Sequence, residues 1–406
     1  MSTSSPFTKT YIPYGAYWST PFARWQGAFA NLHSLKFAAH IASDALRKRS
    51  IDAAQIDFGV LGTTIPQTHC FYGLPWVTGL MGAAHVGGPT INQACATSAR
   101  VLATAADEVE RGDSQCALLL AADRTSNGPH LYYPNPSAPG GTGQHENWVM
   151  DNFSCDPFAN VAMVATAENV ATEYEISTAE QHDVALLRAQ QYGHARDTGF
   201  HARYMQLPFA VPDARFQHTV QELHGDEGIH ATSAAALAAL KPVIKGGTVT
   251  FGGQTHPADG NAGALVVNRA RISEFSSKPE IGIRILGIGQ ARTDVAHMPK
   301  APVPAANRAL TQAGISIDQV STVTTHNPFA VNDVIFARET GFPLARMNRH
   351  GCSLIWGHPQ GPTGLRAIIE LIETLVMDGG GIGLFTGCAA GDTAMAVVLC
   401  VEDLRG

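Results

Sequence analysis

The sequence has no apolar run long enough to cross a membrane, few charged residues and no basic cluster. Charged residues make up 15% of the 406 positions, and the 27 Lys and Arg are outnumbered by 34 Asp and Glu. A mildly acidic chain without basic clusters binds the phosphate backbone of nucleic acids poorly. The 45% of hydrophobic residues is typical of an ordered globular chain. We therefore expect neither a nucleic-acid-binding protein nor a membrane protein.

Cysteine and histidine pairs with metal-ligand spacing are also missing. The seven cysteines include no Cys-x-x-Cys pair, and the 17 histidines include no His-x-x-x-His pair. Such spacings are typical of zinc ribbons and helical metal sites, so we expect no metal in this chain. Residues 1–14 lack the apolar stretch behind a basic start that marks a secretory signal. We therefore expect a cytoplasmic protein with reduced thiols.

Strand-like and helix-like segments alternate at both ends of the chain. The pattern predicts helices over 32–49, 97–111, 305–313 and 363–377, and strands over 58–63, 90–94, 116–122, 320–324 and 383–386. Short apolar strands separated by helices are typical of parallel sheets that are covered on both faces. The sequence therefore predicts an α/β fold.

The order of elements suggests two duplicated halves, over residues 1–270 and 281–406. Ser50-Ile51-Asp52 before one strand is echoed by Ser316-Ile317-Asp318 before another. Each half would then supply equivalent loops to one central cleft. The first half contains an insertion over 124–247, which begins with a loop rich in Pro, Gly, Ser and Asn. The insertion is either a lid or a packed accessory domain.

Two segments have the pattern of an activated thiol and its base. Cys95 lies among small residues where a strand ends and a helix begins, so the helix N-terminus would favour its thiolate. His358 lies between Gly357 and Pro359 on a constrained turn before another helix. Each residue alone could be structural. If the halves are duplicates, the two side chains face the same cleft and form a Cys–His pair.

A second imidazole and a second thiol follow strands of the other half. His326 begins the segment His-Asn-Pro-Phe, and Cys388 begins the segment Cys-Ala-Ala-Gly. In α/β folds the functional groups gather at the ends of strands. Two cysteines and two histidines at such positions favour a nucleophilic site over simple packing.

These motifs, in their order and spacing, resemble those of the thiolase superfamily over nearly the full chain. The segments that carry the resemblance are Asn92-Gln93-Ala94-Cys95, Thr166 to Ala171, Gly247 to Thr250 with Asp259-Gly260, Gly357-His358-Pro359, and Cys388. The resemblance implies a thiolase fold, with two βαβαβαββ halves that form a five-layered α-β-α-β-α core and a loop-domain insertion.

The resemblance also implies a mechanism and a cofactor that acts as a substrate, coenzyme A. Cys95 would attack the keto carbon of a β-ketoacyl-CoA, with His358 as its base and Cys388 as the acid that protonates the departing carbanion. His326, with a water, would form one oxyanion hole, and the backbone N–H groups of Cys95 and Ala390 would form the other. The residues expected at the pantetheine-binding region are Ala162, Met163, Gly252 and Thr255.

Several departures from the family pattern indicate a remodelled acyl pocket. His326 to Phe329 is closer to the His-Asp-Cys-Phe motif of sterol-carrier-protein-type thiolases than to the usual Asn-Glu-x-Phe motif, and Ala162 replaces a common His. The insertion contains a cluster of aromatic residues with few charges, Tyr132, Tyr133, Trp148, Phe153 and Phe158, and Trp356 directly precedes the Gly-His motif. If two or three of them line the pocket, the acyl group is bulky or aromatic.

The chain also resembles thiolases of anaerobic degradation, such as the large subunits of benzoylsuccinyl-CoA thiolases. That resemblance implies a small zinc-ribbon/OB-fold partner subunit. The wider family is usually a homodimer or a dimer of dimers, formed through an edge-to-edge sheet contact near the Cys95 strand.

Two other functions remain open at the level of sequence. A condensing enzyme of the same superfamily would join acyl units, but ketosynthases use one cysteine with two histidines, so Cys388 favours a thiolase. A non-catalytic acyl-CoA-binding scaffold would keep the fold without the chemistry. The presence of Cys95, His358 and Cys388 together favours an enzyme.

Overall fold

A mixed sheet of eleven strands forms the centre of the fold, which is seen in a computed structural model that describes residues 5–405. The eleven strands of this sheet are β1 (Thr10–Tyr11), β2 (Tyr17–Ser19), β3 (Ala23–Arg24), β4 (Phe58–Gly62), β5 (Thr90–Ile91), β6 (Cys116–Arg124), β11 (Ala258–Asn268), β12 (Ile281–Arg292), β13 (Thr322–His326), β14 (Gly381–Ala389) and β15 (Thr393–Asp403). Two separate two-stranded sheets are formed by β7 (His130–Tyr133) with β8 (Gln144–Asn147) and by β9 (Phe209–Pro212) with β10 (Thr219–Leu223). The helices are α1 (Ser34–Lys48), α2 (Leu74–Leu80), α3 (Thr97–Arg111), α4 (Met150–Ser154), α5 (Met163–Glu173), α6 (Thr178–Asp197), α7 (Ala234–Ala238), α8 (Ile272–Phe275), α9 (Pro302–Ala313), α10 (Ala330–Thr340), α11 (Ser353–Trp356) and α12 (Gln360–Met377).

The sheet consists of two half-sheets with the same strand order. The first runs β5-β4-β6-β11-β1, and the second runs from a short bridge at Met347 through β13, β14 and β15 to β12. In the first half, β5-β4 and β4-β6 are parallel pairs and β6-β11 is antiparallel. In the second half, β13-β14 is likewise parallel and β14-β15 is antiparallel. Tyr11 of β1 pairs with both β11 and β12, which joins the halves. The α/β prediction and the duplication are confirmed.

Five layers result from how the helices cover the half-sheets. Helices α3 and α12 lie between the half-sheets and contact each other, while α1 and α2 cover the outer face of the first and α9 covers that of the second. Every residue of α12 from Gly361 to Leu375 is buried, as its position in the middle layer requires. The side chains at the start of α12 are therefore held by contacts on all sides.

The insertion is packed onto the core through two of its helices. Residues of α5 and α6, including Val170 and Val184, share one apolar cluster with Val331 and Val334 of α10. This packing fits the accessory-domain alternative for that part of the insertion. The boundaries 124–247, 1–270 and 281–406 stay predictions. None of the helices within residues 5–405 is both long and apolar enough to cross a membrane.

The observed β5 is shorter than the strand predicted over 90–94. The strand ends at Ile91, and Ala94 has a φ of 45° in the left-handed region. A non-glycine residue in that region marks a tight, over-determined turn. The chain thus leaves the sheet just before Cys95 and enters α3 directly after it.

Candidate active site

Cys95 is presented by the turn between β5 and α3. Its side chain is buried, with 8% of the residue exposed. The hydroxyl of Thr97 accepts a hydrogen bond from the Gln93 N–H at 2.8 Å and donates to the Ala94 carbonyl at 2.6 Å. These two bonds brace the turn that presents Cys95.

His358 reaches the Cys95 thiol from the second half. Its Nε2 lies 3.1 Å from Cys95 Sγ. The turn before it requires glycine, because Gly357 has a φ of 90° and a Cβ there would lie 2.8 Å from His256 Nε2. The Cys–His pair expected from the two sequence motifs is therefore within hydrogen-bond reach.

Thr363, one turn into α12, fixes the tautomer of His358. The Thr363 hydroxyl donates to the Pro359 carbonyl at 2.6 Å, and it lies 2.7 Å from His358 Nδ1. Since its only proton is used, the hydroxyl accepts from Nδ1–H. The lone pair of Nε2 then faces the Cys95 thiol, which is the orientation that a general base needs.

Burial keeps both members of this pair neutral at rest. Desolvation raises the pKa of Cys95 to about 12, although the N–H groups of Ala390 and Cys95 that point at the sulfur act in the other direction. Desolvation, with a smaller contribution from His256, lowers the pKa of His358 to about 3. These shifts favour a thiol beside a neutral imidazole over a thiolate–imidazolium pair.

Cys388 lies at the end of β14, fully buried. Burial raises the pKa of its thiol well above the usual value, and the nearby Cys95 adds to the effect. Asn332 of α10 donates from Nδ2 to Cys388 Sγ at 3.3 Å. This second thiol therefore holds its proton at rest and is oriented by one amide.

His326 stacks against His358 at the end of β13. The two ring centroids are 4.0 Å apart, and His326 is fully buried. His326 Nδ1 lies 2.9 Å from the Ser353 hydroxyl, which donates to Asn327 Oδ1 at 3.1 Å and so accepts from Nδ1–H. Nε2 keeps its lone pair and has no hydrogen-bond partner among the described residues. Desolvation, followed by the nearby His358, lowers the pKa of His326 well below its usual value.

A buried carboxylate ties the start of α12 to the first half. Asp123, near the end of β6, accepts backbone N–H bonds from Thr64 at 2.7 Å, Ile65 at 3.1 Å and Gly361 at 2.6 Å. Burial raises its pKa despite these bonds. Asp123 thus fixes α12, and with it His358, against the β4 loop.

Sequence alone does not single out Thr363, Ser353, Asn332 and Asp123. Their roles depend on partners from other elements. The available signals were weak: an Asp after the buried strand 116–122, and hydroxyl or amide residues within a few positions of the Gly-His-Pro and His-Asn-Pro motifs.

A cavity of about 600 Å³ opens above the Cys95–His358 pair. The predicted pocket residues that line it are Cys95, Trp148, Phe153, Met163, Thr255, His358 and Ala390. Other predicted residues are absent from the lining, among them His326 and Cys388, which are both fully buried. Tyr132, Tyr133 and Phe158 are exposed, and Trp356 is buried against Phe22 and Arg366. Gly252 and Ala162 also lie outside the lining, although residues close to them in sequence line the cavity.

One group among the described residues has the donors to hold a metal ion. One ligand atom each from Cys95, His326 and His358 lies within 4.8 Å of the others. Of the residues expected at the pantetheine-binding region, Met163 and Thr255 line the cavity.

Comparison with known proteins gives matches over nearly the whole chain. Residues 16–270 match the family model of the thiolase N-terminal domain, and residues 279–401 match that of the thiolase C-terminal domain. An acetyl-CoA acetyltransferase of Paracoccus denitrificans is 29% identical, over 94% of this chain and 97% of that protein. A β-ketoadipyl-CoA thiolase of Acinetobacter baylyi is 26% identical, over 94% and 96%. The crystal structure of human mitochondrial 3-ketoacyl-CoA thiolase superposes with a TM-score of 0.89 at 24% identity, over 97% of this chain and 99% of that one.

Proposed function

The chain belongs to the thiolase family of acyltransferases, and from this premise we propose that it cleaves a β-ketoacyl-CoA with coenzyme A. The observation that carries the proposal is the Cys95 thiol, 3.1 Å from a His358 nitrogen whose lone pair faces it. This is the arrangement of a thiol nucleophile and its base. A second thiol, Cys388, lies close enough to Cys95 that Cys95 helps to raise its pKa, and we assign it the role of the acid.

In the first step the nucleophile is activated and attacks. His358 Nε2 takes the thiol proton while Cys95 Sγ bonds to the keto carbon, and the carbonyl electron pair moves onto oxygen. Because both groups are neutral at rest, proton transfer and attack occur together. The N–H groups of Cys95 and Ala390, which already point at the sulfur, are suited to hold a negative oxygen.

In the second step the Cα–Cβ bond breaks. Its electron pair leaves with the shorter acyl-CoA, and the Cys388 thiol supplies the proton that completes that product. The acyl group stays on Cys95 as a thioester. His326 Nε2, as an acceptor, would hold a water whose other O–H points to the thioester oxygen, in line with its missing protein partner.

In the third step coenzyme A takes the acyl group. Its thiol gives a proton to the Cys388 thiolate, and its sulfur attacks the thioester. Cys95 leaves and recovers the proton from His358. The same site runs the condensation in reverse, so the direction depends on the concentrations of the reactants. The non-catalytic scaffold has no structural feature in its favour, since the nucleophile and its base are within hydrogen-bond reach.

We propose further that the acyl group is bulky or aromatic, as in benzoylsuccinyl-CoA. Trp148 and Phe153 line the cavity beside the nucleophile, and the Trp148 N–H is already used by the Thr64 carbonyl at 3.0 Å. An indole whose polar edge is occupied presents its apolar face to a ligand. Among the described residues of the lining there is no Lys or Arg, so a substrate carboxylate would depend on neutral donors such as Asn152.

The test is a CoA-dependent cleavage assay with acetoacetyl-CoA, a neutral aryl β-ketoacyl-CoA and a carboxylated one. Each reaction is quenched, and the acyl adduct is located by peptide mass spectrometry. We expect an adduct on Cys95, loss of turnover in Cys95→Ala and no loss in Cys155→Ala, which removes an exposed thiol. Turnover of the aryl substrates alone supports the aromatic pocket, and turnover of acetoacetyl-CoA alone contradicts it. Absence of Cys95-dependent turnover with all three, including after co-purification from native extract, favours the scaffold.

The remaining proposals concern assembly and location. A homodimer is supported by the exposed edge of β5, and a dimer of dimers would add a second contact. A small zinc-ribbon/OB-fold partner is proposed on the resemblance to partner-dependent thiolases, and exposed Tyr132, Tyr133 and Phe158 offer it an apolar surface. Turnover that needs a co-purified small protein would support this partner.

All seven cysteines are free, which fits the cytoplasm.

A further inference from the structure

We propose that Cys95, His326 and His358 bind Zn²⁺ or a similar thiophilic divalent ion, and that this ion inhibits the enzyme reversibly. One ligand atom from each residue lies within 4.8 Å of the others, and all three side chains are buried. Two imidazoles and one thiolate are a ligand set that zinc prefers. The ion would act as an inhibitor, because it occupies the sulfur that must attack the substrate.

The two histidines are in the form that a metal requires. A ligating imidazole binds through one nitrogen and usually donates its other N–H to a fixed oxygen. His358 Nδ1–H is held by the Thr363 hydroxyl at 2.7 Å, and His326 Nδ1–H is held by the Ser353 hydroxyl at 2.9 Å. Both Nε2 lone pairs are therefore available.

The second observation is the unsatisfied nitrogen of His326. Its Nε2 is fully buried and has no hydrogen-bond partner among the described residues. A buried polar atom of this kind costs free energy unless a water or an ion meets it. The same atom faces the site that contains Cys95 and His358, so one ion could satisfy it and bind the thiolate as well.

The fit needs only a small rearrangement. Zinc with Zn–S near 2.3 Å and Zn–N near 2.0 Å places its tetrahedral donors about 3.5 Å apart. The Cys95–His358 donors are already 3.1 Å apart. No two of the three ligand atoms are more than 4.8 Å apart, so none of the separations has to shorten by more than about 1.3 Å. The fourth position stays open to the cavity, where a water or the thiol of coenzyme A can bind.

The binding step is balanced without any redox partner. The Cys95 thiol loses its proton to water, its sulfur forms the bond to the ion, and each imidazole donates one lone pair. Binding thus releases one proton for each ion. The thiolate held in this way no longer has a free electron pair directed at a keto carbon, and His358 no longer serves as a base.

The test titrates the apo protein with Cd²⁺, which takes the same ligands as Zn²⁺ and gives an ultraviolet thiolate-to-metal absorption band. We expect one ion per chain, loss of the band in Cys95→Ala and an affinity at least about tenfold weaker in His326→Asn. The control is His145→Gln, which breaks an exposed pair in which His130 and His145 nitrogens are 3.0 Å apart. This variant should bind like the parent chain.

A second measurement needs no variant. Zn²⁺ should slow the alkylation of Cys95 at least about tenfold, read by peptide mass spectrometry, and a chelator should restore the rate. The proposal is overturned if the band survives Cys95→Ala, if His326→Asn binds as tightly as the parent chain, or if no saturable band forms. Neither readout requires turnover, so these results are independent of whether the proposed thiolysis is correct.

Discussion

Burial moves the pKa values of Cys95 and His358 in opposite directions, and this decides how the nucleophile works. Both charged forms are desolvated, so the thiol pKa rises to about 12 and the imidazole pKa falls to about 3. A preformed thiolate–imidazolium pair is therefore disfavoured. In the proposed mechanism, Cys95 gains its reactivity from His358 Nε2 at 3.1 Å, which accepts the thiol proton during the attack.

The first prediction concerns the pH dependence of Cys95. We expect its alkylation by iodoacetamide, in the absence of substrate, to speed up steadily from about pH 7 to about pH 10, because a raised thiol pKa leaves the thiolate scarce. The rate is measured on the Cys95 peptide, so the other six thiols do not interfere. A plateau that begins near neutral pH would reveal a stable thiolate and contradict the neutral resting pair.

The second prediction concerns Thr363, a positioning residue. Thr363→Val removes the oxygen that accepts from His358 Nδ1–H, so Nε2 can carry the proton and lose its role as a base. We expect kcat to fall about 10²-fold with little change in KM, and Thr363→Ser to restore it. The matched control is Thr374→Val on the same helix, which removes an equivalent bond, 2.9 Å long, to the remote His350.

Equal losses of kcat in Thr363→Val and Thr374→Val would indicate a general effect on α12 rather than control of the tautomer. A change in KM alone would also contradict the positioning role.

At the level of elements, α12 brings the two halves of the site together. His358 lies on the turn just before the first residue of α12. In the first turn of the helix, the Gly361 N–H donates to the Asp123 carboxylate of β6 at 2.6 Å. Further along, Arg366 lies between the rings of Phe22 and Trp356 and pairs with the buried Asp226 at 2.5 Å. These contacts explain why a helix buried on every side can contain charged residues.

The third prediction tests the Asp123 contact. Asp123→Asn keeps the shape of the side chain but replaces one acceptor oxygen with a donor, which leaves backbone N–H groups of Thr64, Ile65 or Gly361 unpaired. We expect the free energy of unfolding in urea to fall by about 2–4 kcal/mol. We also expect slower acylation of Cys95, because His358 shifts with the start of α12.

The control for that variant is Asp113→Asn, in an exposed ion pair with Arg111 after α3. It should leave unfolding nearly unchanged. If Asp123→Asn is as stable as the parent chain, the carboxylate does not fix α12.

Sequence predicts those parts of the fold and site that depend on local pattern. Apolar strands such as 116–122 and the glycine-bound turn at His358 are visible in the letters alone, and so are the two cysteines after their strands. Ser353, Asn332 and Asp123 are not, because each acquires its role from a partner on another element. The exposure of Tyr132 and Phe158 likewise depends on how the insertion packs.

At the scale of the whole molecule, neither half contains all of the candidate catalytic residues. Cys95 comes from the first half, while His326, His358 and Cys388 come from the second. The first half also ends at an open edge, β5, directly before the nucleophile turn. A second copy that paired with this edge would stabilise the turn that presents Cys95.

The fourth prediction tests that edge as a dimer contact. Phe71 and Tyr72 are 93% and 73% exposed, and the adjoining Leu74 N–H bonds to the Thr90 hydroxyl of β5 at 3.0 Å, so this apolar patch borders the edge. Burial of both rings in a partner is worth several kcal/mol across a symmetric contact, since each copy contributes the same patch.

We therefore expect Phe71→Asp to shift the chain from dimer to monomer in size-exclusion chromatography with light scattering. The matched control is Phe158→Asp, which places the same charge at a loop-domain phenylalanine that is 68% exposed and remote in sequence from β5. It should stay dimeric. A dimer that tolerates Phe71→Asp but dissociates in Phe158→Asp would move the interface to the insertion. If the parent chain is monomeric, no second copy stabilises the turn at Ala94. That turn is then held by Thr97 and α3 alone.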